Sequence, residues 1–322
     1  MIVDASINLM PDQSVARAVE LAVAAENLGF ARCLVYDEGL ASRDVYVTLA
    51  AIAVATSKIA MGPGITNPYT RHAASTAAAI ASLDELSGGR ALLGIGAGGS
   101  LTLDPLGIAR HRPLTAVRET IAACRQLFAG HTATTDGTHV SLHQASLKYG
   151  RPDIPIWLAG RGPKMLTLGG ADCDGVMLDF IYKPHLPHAV SLIRRGADTT
   201  GNHPRISYST VFVTDEQALV DVKPHLTYRL VDSPQEVKEE IGLGADDELA
   251  IRSAMADGLE AAAKFVKDEW VFPFVIHGSE RECRAEITQL VDQFEIGEFL
   301  LPILDDDRAE SLISTVAQVL QL

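Results

Sequence analysis

The chain has 322 residues, of which 47% are hydrophobic and 21% are charged. This length does not require two domains, and the composition is typical of a globular protein with a large core. The formal net charge of −14 argues against a sequence-independent grip on nucleic acid and against a polybasic membrane contact, because both need clustered Lys and Arg.

The cysteines and the first residues indicate a reducing compartment. Cys33, Cys124, Cys173 and Cys283 are isolated from one another, without CxxC spacing or histidine-rich surroundings, so we expect free thiols and no metal site. The opening MIVDASINLMP has no basic region and no signal-length apolar segment, and no other stretch reaches membrane-spanning length. These features predict a cytoplasmic protein that does not enter the membrane.

Eight short apolar runs of β type are bounded by Gly, Pro or Asp, and most are followed by a segment of helical period. One such helical segment runs from Arg112 to Ala129 and stops at Gly130. In chain order, the predicted strands are 2–9, 31–37, 58–66, 91–96, 154–160, 175–179, 205–213 and 298–304.

This alternation of strands and helices predicts the fold. It requires a parallel sheet with right-handed crossovers, and eight units are the number that closes a (β/α)8 TIM barrel. A doubly wound open sheet is the structural alternative. Residues 132–143 predict a small hairpin around Asp136-Gly137, and the acidic, helix-rich stretch 214–274 predicts an insertion after the seventh strand. We expect a single barrel domain over 1–322, with the insertion on its catalytic face.

The most informative glycines follow the fourth strand, in LGIGAGGS over 93–100. Glycines let a backbone approach a ligand closely and expose N–H donors to anionic groups. The spacing also fits GxGxxG, but that fingerprint belongs at the first βα turn of a nucleotide-binding fold. A cofactor contact and tight packing at a barrel rim are both open readings of this segment.

The turn after the fifth strand, AGRGPK over 159–164, has the composition of a phosphate cradle. Two glycines free the turn, and Pro163 starts a helix whose first N–H groups are unpaired. Arg161 and Lys164 add positive charge. The alternative is an ordinary βα turn with a surface arginine. Because barrels bind phosphate at the carboxyl ends of their strands, the cradle is favoured.

Two further segments end predicted strands. Residues 61–72 contain two Gly and two Pro, which predicts irregular or bulged backbone of the kind found at ligand sites. Asp37-Glu38 closes the second strand, and such a pair can orient a ligand or transfer a proton, or be a solvated loop pair. We treat Asp37 and Glu38 as the candidate catalytic residues.

Four runs resemble the luciferase-like flavin-dependent oxidoreductases: RDVYVTLA at 43–50, GPGITNPYTRH at 62–72, LDELSGGR at 83–90 and AGRGPKML at 159–166. Within that superfamily they are most similar to the coenzyme F-420-dependent methylenetetrahydromethanopterin reductases. The resemblance implies a barrel of the bacterial-luciferase type with the 8-hydroxy-5-deazaflavin F-420 lying across the strand ends. It implies hydride transfer between this coenzyme and a small organic substrate, in a homodimer or homotetramer.

The resemblance also implies a set of cofactor-binding residues. In such enzymes a bulge with a non-proline cis peptide supports the ring face, and by position it would be Gly64-Ile65. The phosphate-bearing side chain would run past 96–98 toward 159–162. The implied set is Gly64, Ile65, Thr66, Gly96, Ala97, Gly98, Ala159, Gly160, Arg161 and Gly162.

Two positions depart from the family pattern and leave the substrate open. The family commonly has Asp-His where this chain has Asp37-Glu38, and related reductases carry an acid where this chain has Asn8. A carboxylate near an anionic deazaflavin is unfavourable unless it is protonated or turned away. The alternatives are an FMN-dependent monooxygenase of the same fold and a non-catalytic deazaflavin-binding protein.

Overall fold

The computed structural model describes residues 3–10, 12–304 and 306–322. Its strands in chain order are β1 (Asp4–Leu9), β2 (Arg32–Val35), β3 (Ala60–Pro63), β4 (Leu93–Ile95), β5 (Ala133–Asp136), β6 (Ser141–Ala145), β7 (Ile156–Ala159), β8 (Gly175–Asp179), β9 (Arg205–Ser209), β10 (Phe212–Val213), β11 (Ile276–His277) and β12 (Ile296–Ile303). Eight of them form one sheet in the order β3-β2-β1-β12-β9-β8-β7-β4.

The eight-stranded sheet is parallel throughout and closes on itself. Its neighbouring strands pair in parallel, and bridges from Met61 to Ala91 and from Thr66 to Ile95 join the β3 side to the β4 side. The predicted (β/α)8 barrel is therefore confirmed, and the open-sheet alternative is wrong. Leu34, Leu92, Trp157, Met177 and Leu300 pack together as a buried cluster in and beside the barrel strands.

The helices alternate with these strands. They are α1 (Val15–Asn27), α2 (Val45–Ala55), α3 (Ala73–Ser87), α4 (Ser100–Leu103), α5 (Pro113–Phe128), α6 (Pro163–Asp172), α7 (Leu186–Thr200), α8 (Glu216–Val231), α9 (Gln235–Ile241), α10 (Ala245–Ala254), α11 (Leu259–Ala263), α12 (Asp268–Val271), α13 (Glu280–Phe294) and α14 (Ala309–Leu320). Within the described ranges, none has both the length and the apolar character needed to cross a membrane.

Local signals explain where several helices begin and end. The Ser14 side chain accepts a hydrogen bond from the Arg17 N–H at the start of α1. A reciprocal capping box between Ser279 and Glu282 starts α13. Helix α3 ends at Gly88, whose φ of 71° is left-handed and therefore suits glycine.

The observed barrel strands overlap the eight predicted runs but differ at their ends. Residue 2 of the first predicted run lies outside the described residues. The predicted run 205–213 divides at Thr210, whose hydroxyl donates to the Phe274 carbonyl at 2.7 Å. Beyond this point the chain leaves the barrel, and β10 pairs in parallel with β11 instead.

Two excursions leave the barrel. Strands β5 and β6 form an antiparallel pair around Gly137, in the region predicted as a hairpin. Helices α8 to α12 lie between β10 and β11, within the stretch 214–274 that the sequence predicts as an insertion. The assignment of the whole chain to a single domain stays a prediction.

Candidate active site

The carboxyl ends of the strands bring the three glycine-containing segments of the sequence together at Gly96. A Cβ atom on Gly96 would lie 2.1 Å from Cδ1 of Ile65 and 3.0 Å from the carbonyl oxygen of Ala159. Segments 64–66, 96–98 and 159–162 therefore meet at one mouth of the barrel. A side chain at Gly96 would overlap Ile65, so the glycine allows the three segments to pack closely at the mouth.

The backbone after β3 is fixed by its neighbours. The Gly64-Ile65 peptide is cis, at the position that the resemblance implied. The Asn8 side-chain amide donates to the Gly64 carbonyl, and the Thr66 N–H donates to the Gly94 carbonyl at 3.0 Å. The segment is thus held from the β1 side and from the β4 side at once.

The loop after β4 is tied to the rest of the rim. Gly96 is buried, Ala97 and Gly98 are half-buried, and Gly98 has a φ of 73° that favours glycine. The Gly98 carbonyl accepts a hydrogen bond from Arg110 at 2.8 Å. A Cβ on Gly98 would be 3.2 Å from that of Asn67, which follows the cis peptide.

Asp37 and Glu38 are half-buried at the end of β2, and each accepts a hydrogen bond from a threonine hydroxyl. Thr66 donates to Asp37 at 2.6 Å, and Thr102 donates to Glu38 at 2.5 Å. Burial raises the pKa of both carboxyl groups above their ordinary values, and the threonine hydrogen bonds only partly oppose this. The charge of Asp37 raises the pKa of Glu38 further. Glu38 is therefore the better placed of the two to hold a proton.

The rim also contains functional groups beyond the residues predicted from the sequence. Asp179, the last residue of β8, accepts hydrogen bonds from Ser209 at 3.0 Å and from Arg229 at 2.9 Å. Burial raises its pKa, although Arg161 and Ser209 act in the opposite direction. An acid at the end of a predicted strand is a signal that could have identified Asp179, whereas nothing local marks Arg229.

Tyr36 lies between the acids of the mouth. Its pKa is raised well above the ordinary tyrosine value, first by burial and then by the charges of Asp179 and Glu38. Asn8 hydrogen-bonds to the Tyr36 side chain and opposes this shift. At neutral pH the Tyr36 hydroxyl therefore keeps its proton.

The turn after β7 has the geometry expected of an anion cradle. Strand β7 ends at Ala159, and α6 begins at Pro163 after Gly162, with no side chain capping its first turn. Arg161 and Lys164 are exposed beside it. The uncapped N–H groups and these two cations make the turn attractive to an anion.

A cavity of about 350 Å³ lies between this turn and the inserted helices, with Arg161, Tyr182, His185 and Arg229 in its wall. Beside it, His185, Glu236 and Glu240 each offer one ligand-type atom, and these atoms lie within 4.8 Å of one another. Both glutamates are exposed, and exposed acidic groups commonly occur together without a metal. The expectation of no metal site stays a prediction.

The fold and the mouth together define a class: a barrel enzyme that binds a flat, anionic cofactor at the carboxyl ends of its strands. Residues 3–294 match the luciferase-like monooxygenase family, and the chain belongs to that family. The recognition of luciferase-like motifs in the sequence is therefore confirmed.

Relatives narrow this assignment. The chain is 35% identical to the 5,10-methylenetetrahydromethanopterin reductase of Methanolobus tindarius over 294 residues, which are 89% of this chain and 90% of the relative. It is 32% identical to the enzyme of that name from Archaeoglobus fulgidus over 295 residues, 88% of this chain and 89% of the relative. The predicted resemblance to these reductases is confirmed.

Solved structures agree with the sequence relatives. The coenzyme F-420-dependent tetrahydromethanopterin reductase from Methanopyrus kandleri superposes with a TM-score of 0.88 at 28% identity, over 98% of this chain and 97% of that one. An F-420-dependent secondary alcohol dehydrogenase superposes with a TM-score of 0.77 at 19% identity, over 99% of both chains, and shares the fold.

Proposed function

We propose that this chain is a coenzyme F-420-dependent oxidoreductase that transfers a hydride between the deazaflavin and a small organic substrate of the methylenetetrahydropterin type. The observation that carries the proposal is the junction at Gly96, where three glycine-containing segments pack together beside the cis Gly64-Ile65 peptide. The names of relatives that match about nine tenths of the chain support the same activity.

The residues of the mouth fit such a cofactor. Segments 64–66 and 96–98 present backbone to a ring, and the turn 159–162 with the uncapped start of α6 presents N–H groups to its phosphate. When bound, F-420 supplies the carbon centre that gives or accepts the hydride. The protein positions the two partners and excludes water from between them.

The acidic residues of the mouth can hold and donate protons. Reduction of a methylene group bound to nitrogen to a methyl group consumes one hydride and one proton, so a proton donor is needed near the substrate. Glu38 supports this role because burial and the neighbouring Asp37 raise its pKa. Thr66, which follows the cis peptide, donates a hydrogen bond to Asp37. This bond fixes the acid pair relative to the ring-binding segment.

The same proposal includes assembly and location. We expect a homodimer or homotetramer in the cytoplasm. The exposed apolar face of α2 supports the assembly, because Val47 is 61% exposed and Val54 is 70% exposed. Exposed apolar side chains on one helix favour burial against another protein surface. Size-exclusion chromatography with light scattering tests this, and a monomer at micromolar concentration would contradict it.

The activity is tested by anaerobic hydride transfer from reduced F-420 to 5,10-methylenetetrahydromethanopterin, followed through the absorbance of the oxidised deazaflavin. We expect substrate-dependent oxidation that Glu38→Gln slows strongly. The matched variant Glu85→Gln, at an exposed position of α3, should leave it unchanged. Tight F-420 binding without turnover would favour a non-catalytic binding protein. Oxygen-dependent turnover with reduced FMN, and none with reduced F-420, would favour the monooxygenase alternative.

A further inference from the structure

Arg229, on the inserted helix α8, is a buried cation with unused donors. Its side chain is only 10% exposed. Its Nη2 donates to the Asp179 carbonyl oxygen at 2.7 Å and to the Asp179 carboxylate at 2.9 Å. Its Nε and Nη1 are buried without any acceptor among the residues that the structure describes.

Unused donors on a buried guanidinium are costly. An arginine carries five N–H donors and stays charged at all physiological pH values, so it cannot avoid the cost by losing a proton. Buried polar groups without partners are rare in folded proteins and call for an explanation, such as an acceptor supplied by a ligand. Asp179 satisfies one end of the Arg229 group and leaves the rest for another acceptor.

The surroundings of Arg229 favour an anion as that acceptor. Arg229 is part of the wall of the 350 Å³ cavity, with Arg161 and the uncapped start of α6 in the same wall. The Asp232 carboxylate also lines the cavity, but Arg252 lies 3.5 Å from it and offsets its charge. The Asp179 charge is paired with Arg229 itself. Among the wall residues the positive charge therefore outweighs the negative, and the carboxylates of Glu236 and Glu240 lie beside His185 at the edge of the cavity.

We propose that this cavity is an oxyanion site, in which a carboxylate or phosphate group accepts hydrogen bonds from Arg229 and is flanked by Arg161 and the first N–H groups of α6. The site is distinct from the ring-binding mouth, because its wall contains no residue of 64–66 or 96–98.

Two molecules could provide the oxyanion. One is the anionic tail of the deazaflavin, which would extend from the turn 159–162 into the cavity through the shared residues Arg161 and Gly162. The other is a separate small anion. Only the first source rests on the proposed function, and both place the anion on Arg229.

The test compares wild type, Arg229→Gln and Arg195→Gln by calorimetric titration. Arg195 is exposed on α7 and does not line this cavity, so its replacement removes the same charge elsewhere. The probes are inorganic phosphate, intact F-420, and the deazaflavin chromophore lacking the phosphate and carboxylate tail. Because a hydrogen bond to a charged group contributes strongly to binding, Arg229→Gln should lower the affinity for the relevant probe by roughly 10- to 100-fold.

The pattern of losses identifies the source. If the tail is the ligand, Arg229→Gln weakens the binding of F-420 and leaves the binding of the tail-less chromophore unchanged. If the ligand is a separate anion, the variant loses phosphate binding and keeps F-420 binding. Arg195→Gln should match wild type with every probe.

Other results overturn one proposal and spare the other. F-420 and phosphate titrations of Arg229→Gln that match wild type would overturn the oxyanion site without affecting the proposed function. Phosphate binding that depends on Arg229, in a protein that does not bind F-420, would support the site and contradict the proposed function. Should Arg229→Gln unfold, Arg229→Lys replaces it, because lysine keeps the charge. This variant should lose less affinity than expected for Arg229→Gln, for the same probes. An Arg229→Lys protein with wild-type affinity for every probe would overturn the site.

Discussion

Replacement of Gly96 by alanine should weaken cofactor binding while the protein stays folded. The new Cβ would lie 2.1 Å from Cδ1 of Ile65, about 1.5 Å closer than two carbon atoms pack comfortably. The Ile65 atom is the end of a flexible side chain and can move, whereas the Ala159 carbonyl oxygen, 3.0 Å away, belongs to the backbone. Relief of the clash must therefore displace Ile65, which lies beside the ring-binding segment.

The size of the effect follows from the cost of overpacking. An extra methyl group in a well-packed place costs about 1–3 kcal/mol. If that cost falls on the bound state, F-420 affinity drops by roughly fivefold to 150-fold. Fluorescence titration of apoprotein with F-420 measures this, and circular dichroism verifies the fold.

The matched control is Gly99→Ala in the same loop, because a Cβ on Gly99 would meet no atom within 4 Å. We expect this control to bind like wild type. A folded Gly96→Ala protein with wild-type F-420 affinity would refute the idea that the close packing at Gly96 serves the cofactor.

Three further predictions concern stability. Gly62→Ala would place a Cβ 2.2 Å from the Leu92 carbonyl oxygen, a backbone atom that cannot give way. Urea denaturation should therefore show that the free energy of unfolding falls by about 3 kcal/mol. A fall of less than about 1 kcal/mol would contradict the packing argument. Glu298→Ala would leave the buried Arg32 charge unpaired at a cost of about 3–5 kcal/mol, and an unchanged unfolding midpoint would exclude a structural role for the pair. The folded-state pKa of Glu38 is raised, so this carboxyl group lowers stability as pH rises through that pKa. The free energy of unfolding of Glu38→Gln should therefore exceed that of wild type at neutral pH. This gain should disappear below the ordinary glutamate pKa of about 4.3. A gain that grows toward acid pH would contradict the argument.

The barrel could be predicted because its signals are local and repeated. Strand runs bounded by Gly, Pro and Asp, and helix ends such as Gly88, depend on neighbouring residues in the chain. The division of the run 205–213 could not be predicted in this way. It depends on Thr210 reaching the Phe274 carbonyl, 64 residues further along the chain.

The candidate site shows the same limit. The glycines around Gly96 stand out in the sequence because glycine allows a close backbone approach and left-handed conformations that other residues rarely adopt. The contact between Asp179 and Arg229 joins β8 to an inserted helix 50 residues away, and no spacing rule connects them. The threonine partners of Asp37 and Glu38 were likewise hidden, because a threonine without its fold gives no sign of which acid it will meet.

The most direct test of the central claim is binding of purified apoprotein to F-420 and to FMN at matched concentrations, measured by calorimetry. We expect micromolar or tighter binding of F-420 and much weaker binding of FMN. The reverse preference would contradict it and indicate oxygen-dependent flavin chemistry, and binding of neither would mean that the glycines at the barrel mouth serve packing alone.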